Sequence, residues 1–489
     1  MSPVNTTFKN GTSILSNGIK LPSEKQILLE IIDKAKDWAI THGIGVRVNY
    51  DTELIKFISF MLLPSPFPRC EFQKAIDLQP VLNELLHNVA HDYEFLKDSL
   101  KNTIKADEFT RNLFEIYEIV HKEGTAQDIS LGIFRSDYLL DFGSGSHIKQ
   151  VETNTIAIGF ATIGQKTYDL HKYMLTELGY NEKLINLPEN NSLTETTLGL
   201  IKAWEIYNNK KSVILFVISE PALNNVCDVR FHEYEINKLN RNLKLIRRTL
   251  TQIANTVKLG PNKQLLVDDF EIAVVYYRTG FMPEQYNSKR EWDARLLMER
   301  SLAIKCPSIQ YQLVGTKKIQ QVLAQPNVLE KFIKSPKTIK SVRETFTGLY
   351  SLDFDEYGEQ AVNMALENPG KYVLKSQRDG GGNNVFGENI SDVLLRIKYS
   401  KNRAAWILMD KISSPISQGY MIRYDKVQKM NFVSELGIFG VILGNSNKIF
   451  YNKEAGHLLR SKLSTADEAG CLKGNGATDS SYLIDYIEI

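Results

Sequence analysis

From Gly132 onward the chain alternates between strand-like and helix-like segments, and that alternation limits the possible folds more than any other feature. HIKQVETNT (147–155), SVILFVI (212–218), IAVVYYR (272–278), KYVLK (371–375), AWILMDKI (405–412) and FVSELGIFGVIL (432–443) are dense in β-branched and aromatic residues. Helical patterns fall between them, at 290–305 and 316–334. Before Gly132 the texture is helical. Ser23 and Gln26 stand in capping-box spacing ahead of Leu28, Ile31, Ile32, Ala35, Trp38 and Ala39, and Gly43 ends the run, which predicts a helix over 23–43. Similar patterns at 79–100 and 106–121 make the first ~125 residues mostly helical. The expected class is α/β with a helical N-terminal layer.

At 489 residues the chain is too long for a single core and should form two to four packed units. Hydrophobic residues at 43% and charged ones at 24% are ordinary for a soluble globule, which disfavours disordered and fibrous classes. The 59 basic and 57 acidic residues nearly cancel and no Lys/Arg block stands out, so no nucleic-acid partner is expected. No stretch approaches the ~18 apolar residues of a membrane span. Cys70, Cys227, Cys306 and Cys471 are scattered without a CxxC pair, against both a disulfide framework and a zinc ribbon. A reducing, cytoplasmic setting is the simplest expectation; secretion after removal of a signal peptide is the alternative.

Few motifs carry chemistry. His87 and His91 are four apart on one helix but lack the Glu of HExxH and a third ligand, so a packed or solvated pair is expected. GSGS at 143–146 lies between two strands and reads as a turn, and no Walker-type GxxxxGK[ST] occurs. SQRDGGGNN, after the strand YVLK, is different. Its glycines let backbone N–H groups approach an anion, and consecutive N–H groups form an anion-binding nest. Lys375 ends the strand pointing at the same place, and Asp379 offers the hard oxygen that Mg²⁺ takes together with phosphate oxygens. A GGG run alone is more often a surface turn.

Seven blocks, in order, extend this reading: RSDYLL from 135, IKQVETNTI from 148, AVVYYRTGFMPEQY from 273, GTKKIQQVL from 315, YVLKSQRDGGGNN from 372, SELGIFGV from 434 and GHLLRSK from 456. With them the chain resembles eukaryotic-type glutathione synthetase, an ATP-grasp ligase family, from about residue 23 to about 485. The resemblance implies an ATP-grasp fold divided into a mainly helical region (1–130), metal and substrate strands (131–205), an inserted α/β substrate-binding region (206–314) and an ATP-grasp region with a glycine-rich lid (315–489). It also implies a homodimer. The implied reaction converts the carboxylate of a γ-glutamyl dipeptide into an acyl phosphate with ATP, and the amine of glycine then displaces phosphate to form an amide. A carboxylate is a poor electrophile at neutral pH, so its oxygen must first become a leaving group. Phosphoryl transfer between anions needs positioning and cationic neutralisation.

Carried over residue by residue, the resemblance assigns Mg²⁺, as two ions, to Glu152, Asn154 and Asp379. It assigns ATP to Glu152, Lys317, Lys375, the lid residues Gly380, Gly381, Gly382, Asn383 and Asn384, and to Phe386. Met409, Asp410, Lys411 and Ile412 match the adenine segment, with Glu435, Lys462 and Asp467 also at ATP positions. Arg135, Arg278 and Arg460 match the guanidinium groups that hold substrate carboxylates, a role suited to a fork-shaped donor. Arg460, Lys317 and Lys375 are the expected catalytic residues. The flexible glycine loop is then a lid that admits ATP and orders over it.

The dipeptide half departs from the family pattern. Where the family reads Ser-x-Ser-Phe-Gly-Gly, this chain has Ala157, Gly159, Phe160, Ala161 and Thr162. Leu223 and Val229 stand for Glu and Gln, with Asn225 kept, and Phe281 replaces a Tyr. Cys471, Leu472, Lys473 and Gly474 take the place of a Val-Ala-Ala-Gly loop over glycine. In the nucleotide half, Asp379 and Asp410 replace Glu, and Phe386 replaces Tyr. Each lost hydrogen bond to a charged substrate group is worth ~1.5–3 kcal/mol, so five could exceed ~7 kcal/mol, although neighbours do not add. Three readings stay open: a glutathione synthetase gripping its dipeptide differently, the same ligase chemistry on another acid or amine, and a binding or secreted effector protein of low activity. The complete lysine and metal-ligand set disfavours the last.

Overall fold

The computed structural model describes residues 7–485 apart from 10–11, 146, 221–222, 425, 469 and 472–474. Its centre is a nine-stranded sheet ordered Thr7–Lys9, Thr12–Leu15, Ile416–Ile422, Phe60–Met61, Gly476–Asp479, Lys448–Leu463, Val427–Asn445, Ser130–Asp141, His147–Asn154. The last four are two antiparallel hairpins laid side by side, and their long central strands, Ser130–Asp141 and Val427–Asn445, are largely buried. On one face lies the helix Arg69–Ala90, whose Leu78, Leu82, Leu85 and Leu86 share a core with Leu436, Ile438 and Ile442.

A second, six-stranded sheet holds Val213–Ile218, Lys244–Thr249, Phe270–Tyr277 and Ile304–Cys306 in parallel. Parallel strands covered on both faces read as continuous apolar runs, which is why VILFVI is buried throughout. The third sheet is antiparallel: Leu349–Ser351, Trp406–Asp410, Tyr372–Ser376, Val385–Phe386. Helices Glu356–Glu367 and Asn389–Ile397 close its core through Ala361, Val362, Ala365, Ile390 and Leu394 around Leu374 and Leu408. The glycine triplet links two of its strands.

The strands expected from composition all form, but several helix limits differ. The first helix is Lys25–Thr41 with Glu24 as its N-cap and no side-chain cap. Helix starts two residues after Ser23, so Gln26 is not in the third helical position that a serine box requires. The predicted helix 79–100 begins at Arg69 and is broken after Ala90 into a second piece, Tyr93–Leu100, capped by Asp92. The run 290–305 stops at Arg300 and passes into the strand Ile304–Cys306, and 316–334 shortens to Lys317–Leu323. Short strands before residue 69 accompany the helices there. GSGS begins in a 3₁₀ turn, Phe142–Ser144, between two paired strands. His87 and His91 are a packed pair with ring centroids 4.4 Å apart, and His87 Nδ1 lies 2.5 Å from Tyr311 Oη. All four cysteines are free.

Candidate active site

Strand pairing builds the first part of the site. Successive side chains on a strand alternate between faces, so Arg135 and Asp137 share a face, and directly paired residues point the same way. Arg135 pairs with Asn154, Asp137 with Glu152, and Glu435 with Arg460. One sheet face therefore gathers three carboxylates, two guanidinium groups and an amide. Asp137 is fully buried at its centre. It accepts from Arg135 Nε at 2.6 Å and Nη2 at 2.8 Å, from Arg460 Nη2 at 3.0 Å and from Asn154 Nδ2 at 3.0 Å. Arg460 also pairs with Glu435. Gly437, opposite Asp137, leaves the room: a Cβ there would lie 2.8 Å from Asp137 Oδ1 and 2.9 Å from Arg135 Cδ.

Two lysines from other elements reach this face. Lys317 opens the helix Lys317–Leu323, and its Nζ is 3.1 Å from Asp379 Oδ1 and 3.3 Å from Glu152 Oε2. Lys375, from the third sheet, lies 3.6 Å from the same Glu152 oxygen and donates to Val151 O at 2.8 Å. Both lysines are buried. Burial works against the charge of Lys317, but Glu152 and Asp379 outweigh it and its pKa is raised. Burial lowers that of Lys375, Glu152 only partly compensating. The carboxylates diverge too. Burial would raise Glu152, yet Lys317, Lys375, Arg135 and Arg460 hold it well below the usual range, whereas for Asp379 burial prevails and the pKa rises.

The glycine loop begins at the residue after Asp379. Gly380 and Gly382 adopt φ of +80° and +97°, in the left-handed region that favours glycine. Asn383 Nδ2 donates to Gly380 O at 3.1 Å, and beyond the loop Phe386 pairs with Val373 across the sheet. Phe281 lies against the loop, 3.4 Å from where a Gly380 Cβ would stand. On the neighbouring strand Met409 is buried, and Asp410 accepts from Gly348 N at 3.1 Å. Lys411 and Ile412 follow, the backbone N–H of Lys411 donating to Lys371 O at 2.8 Å. Lys462 Nζ donates to Asp467 O at 2.6 Å, and Lys411 Nζ is 3.7 Å from Asp467 Oδ1.

Arg278 lies apart from this cluster. Its Nη2 donates to Asp228 Oδ2 at 2.6 Å, and both side chains are almost fully buried. Gly159 stands beside the pair, and the Phe160 N–H donates to Asp228 Oδ2 at 3.0 Å. The 157–160 loop is tied to both arginines: Arg135 donates to Gly159 O at 3.2 Å and Arg278 to Ile158 O. Ala157 and Phe160 take φ of +54° and +71°, strained for residues with a Cβ. Leu223 and Val229 do not line an opening but pack with Ile158, Ala161 and Tyr276 in one core. Asn225 stands at the N-cap of the helix Val226–Leu239. Cys471 is buried, which pushes its thiol up to about 11 against the pull of Arg460. Leu472, Lys473 and Gly474 lie outside the described residues.

Comparisons with known proteins place the whole chain beside one family. The model of the eukaryotic glutathione synthase ATP-binding domain matches residues 25–483. Glutathione synthetase from Homo sapiens is 39% identical over 474 residues, covering 96% of this chain and 99% of that protein. The Xenopus laevis enzyme is 38% identical, covering 94% and 98%. The chain belongs to the eukaryotic glutathione synthetase family. A solved glutathione synthetase-like effector from Globodera pallida, in its apo form, superposes with a TM-score of 0.76 at 28% identity, covering 95% of this chain and 98% of its own.

As a member of the glutathione synthetase family, the chain is an ATP-using carbon–nitrogen ligase. Its fold brings Glu152, Asn154, Lys317, Lys375, Asp379, Glu435, Arg135 and Arg460 together and sets Arg278 to one side with Asp228. Sequence reasoning missed Asp137 and Asp228, the carboxylates that organise the arginines. Asp137 was within reach, since Arg-x-Asp on a strand puts both side chains on one face. Asp228 carried no such signal.

Proposed function

We propose that this chain transfers the terminal phosphoryl group of ATP to the carboxylate of γ-glutamylcysteine and joins the acyl phosphate to glycine, releasing glutathione, ADP and phosphate. The observation that carries the reading is the convergence of Lys317, Lys375, Glu152 and Asp379 on one small space at the root of the glycine-rich loop. Lys317 and Lys375 would hold the phosphates, and Met409–Ile412 the adenine. Arg460, beside Glu435 and Asp137, would hold the reacting carboxylate in line with the phosphoryl group, while Arg135 and Arg278 hold the other end of the dipeptide.

Magnesium fits this donor set. A single ammonium, that of Lys317, touches both Glu152 and Asp379, so their oxygens already face one cation. Asn154 donates its amide nitrogen to Asp137, which leaves its carbonyl oxygen as a third hard ligand. Among the described residues no three His, Cys, Asp or Glu side chains form a metal cage, so nucleotide oxygens would complete the coordination. Bound there, Mg²⁺ would neutralise phosphate charge. Two ions and a homodimeric assembly are what the family resemblance suggests, and a reducing, cytoplasmic setting is what the four scattered cysteines suggest. Among the described residues no helix is long and apolar enough to cross a membrane.

A second reading keeps the chemistry and changes the acid. Leu223 and Val229 are sealed in the core, so neither presents a polar atom to a γ-glutamyl head. The test is ADP release by purified protein with Mg-ATP, first with γ-glutamylcysteine and glycine, then with a panel of acids and amines, products identified by mass. Turnover of the standard pair at ordinary family rates removes the second reading. Turnover only with other pairs establishes it, and nucleotide binding without turnover with any pair would favour a binding protein.

A further inference from the structure

We propose that Glu468 is the latch of the glycine-rich lid, a positioning residue that acts on the nucleotide through the loop 380–384. The proposal rests on the reading of that loop as the lid over the phosphates. Glu468 sits on a turn after the strand Lys448–Leu463, anchored by Ser464 N to Asn431 O at 3.1 Å and by Ala466 N to Leu463 O at 2.9 Å. Its two carboxylate oxygens divide their work. Oε2 accepts from the backbone N–H of Gly382, and Oε1 accepts from Asn384 Nδ2 at 2.9 Å. A Cβ on Gly381 would stand 3.2 Å from Oε2, tighter than most contacts, so the triplet also serves this close approach.

The same turn reaches the other nucleotide-facing groups. Asp467, the preceding residue, accepts from Lys462 through its carbonyl and lies 3.7 Å from Lys411 through its side chain. Lid, adenine segment and the long strand bearing Arg460 are thereby joined at two adjacent acids. Three glycines give the loop many open conformations. Two charge-assisted hydrogen bonds to one anchored carboxylate oppose that freedom. Because Asp379 immediately precedes the loop, fixing the loop also fixes the carboxylate that faces Lys317. The latch therefore sets how firmly the nucleotide is enclosed, while the groups that perform transfer remain elsewhere.

The test uses the full-length protein. In Glu468→Gln the side chain keeps one acceptor for Gly382 but turns a donor toward the donor amide of Asn384. Amide exchange across 380–384, measured without nucleotide, should quicken about five- to tenfold. The KM for ATP should rise about tenfold with kcat within about twofold. Adding Asn384→Asp to E468Q restores a donor–acceptor match and should return exchange to within about twofold of the parent. Unchanged exchange in E468Q, or a double variant no better than the single one, overturns the latch. Should exchange respond and recover as expected in a protein that binds no ATP, the latch stands and the nucleotide reading falls.

Discussion

Two parts of the candidate site are built from the same kinds of charge and use them differently. At the proposed phosphate end one ammonium is shared: Lys317 touches Glu152 and Asp379, and Glu152 also faces Lys375. At the proposed acid-binding end Arg278 is locked to Asp228 in near-complete burial, beside two apolar side chains absorbed into the core. A shared charge can be traded for a metal ion or a phosphate with little rearrangement. A locked pair cannot, although Arg278 Nε and Asp228 Oδ1 are both buried without a hydrogen-bond partner among the described residues. Exchangeable ion pairs stand at one end, and a locked pair within close packing at the other.

The largest effect should come from breaking the shared set. Lys317→Met removes a cation proposed to face the phosphates and should lower ADP release about a hundred- to a thousandfold, the range typical of losing one group that stabilises the transition state. It should also destabilise the fold, since Glu152 and Asp379 lose their common partner; stranding a buried charge costs ~3–5 kcal/mol. Steady-state kinetics and thermal unfolding check the two parts. Lost activity with unchanged stability would mean that the lysine serves ligand alone.

Much of this contrast was legible in the sequence, and the remainder has physical reasons. Long apolar strands announced themselves, and the lysines and proposed metal ligands came with blocks that resemble the family. The short strands before residue 69 did not, because two to four residues give too few periods to detect. Ser65–Pro68 contains two prolines, which argue against a strand, yet it pairs in parallel with Ser481–Ile484 in a two-stranded sheet where no second neighbour needs its N–H groups. Asp137 meets Arg460 across 323 residues, a contact that no local pattern encodes.

Acid should loosen the central sheet next in order of size. Burial pushes His87, His171 and His457 down to about 4, against an ordinary value of 6.5. The unfolded chain therefore binds more protons between these values. Their contribution is fully present above pH 6.5 and is lost as pH falls through about 4. Asp479 opposes this: burial pushes it up to about 7, so its contribution is present below its ordinary 3.8 and lost as pH rises through about 7. Three groups against one predict a net loss on the order of 2–3 kcal/mol from pH 6.5 to 5. Denaturant melts across that range check it, and a flat profile would contradict the assigned burial. Gly437→Ala should act on a similar or smaller scale, ~1–3 kcal/mol for crowding Asp137 and Arg135, and should impair turnover more than nucleotide binding.

The smallest effect is the one that best separates the two ends. In Gly159→Ser the new Cβ would lie 3.6 Å from Asp228 Oδ2 and 3.7 Å from Arg278 Nη2, ordinary contact distances, and the backbone there is not left-handed. The hydroxyl can donate to Asp228 Oδ1, which has no hydrogen-bond partner among the described residues. One net hydrogen bond is worth ~0.5–1.5 kcal/mol. If the hydroxyl instead serves the dipeptide, the same energy lowers the KM for γ-glutamylcysteine by about three- to tenfold. Ala157→Ser, at φ +54°, keeps its strain with either side chain and should change less. A gain in stability without a gain in dipeptide use would place the specificity of this end in Leu223 and Val229, whose burial no loop substitution can reverse.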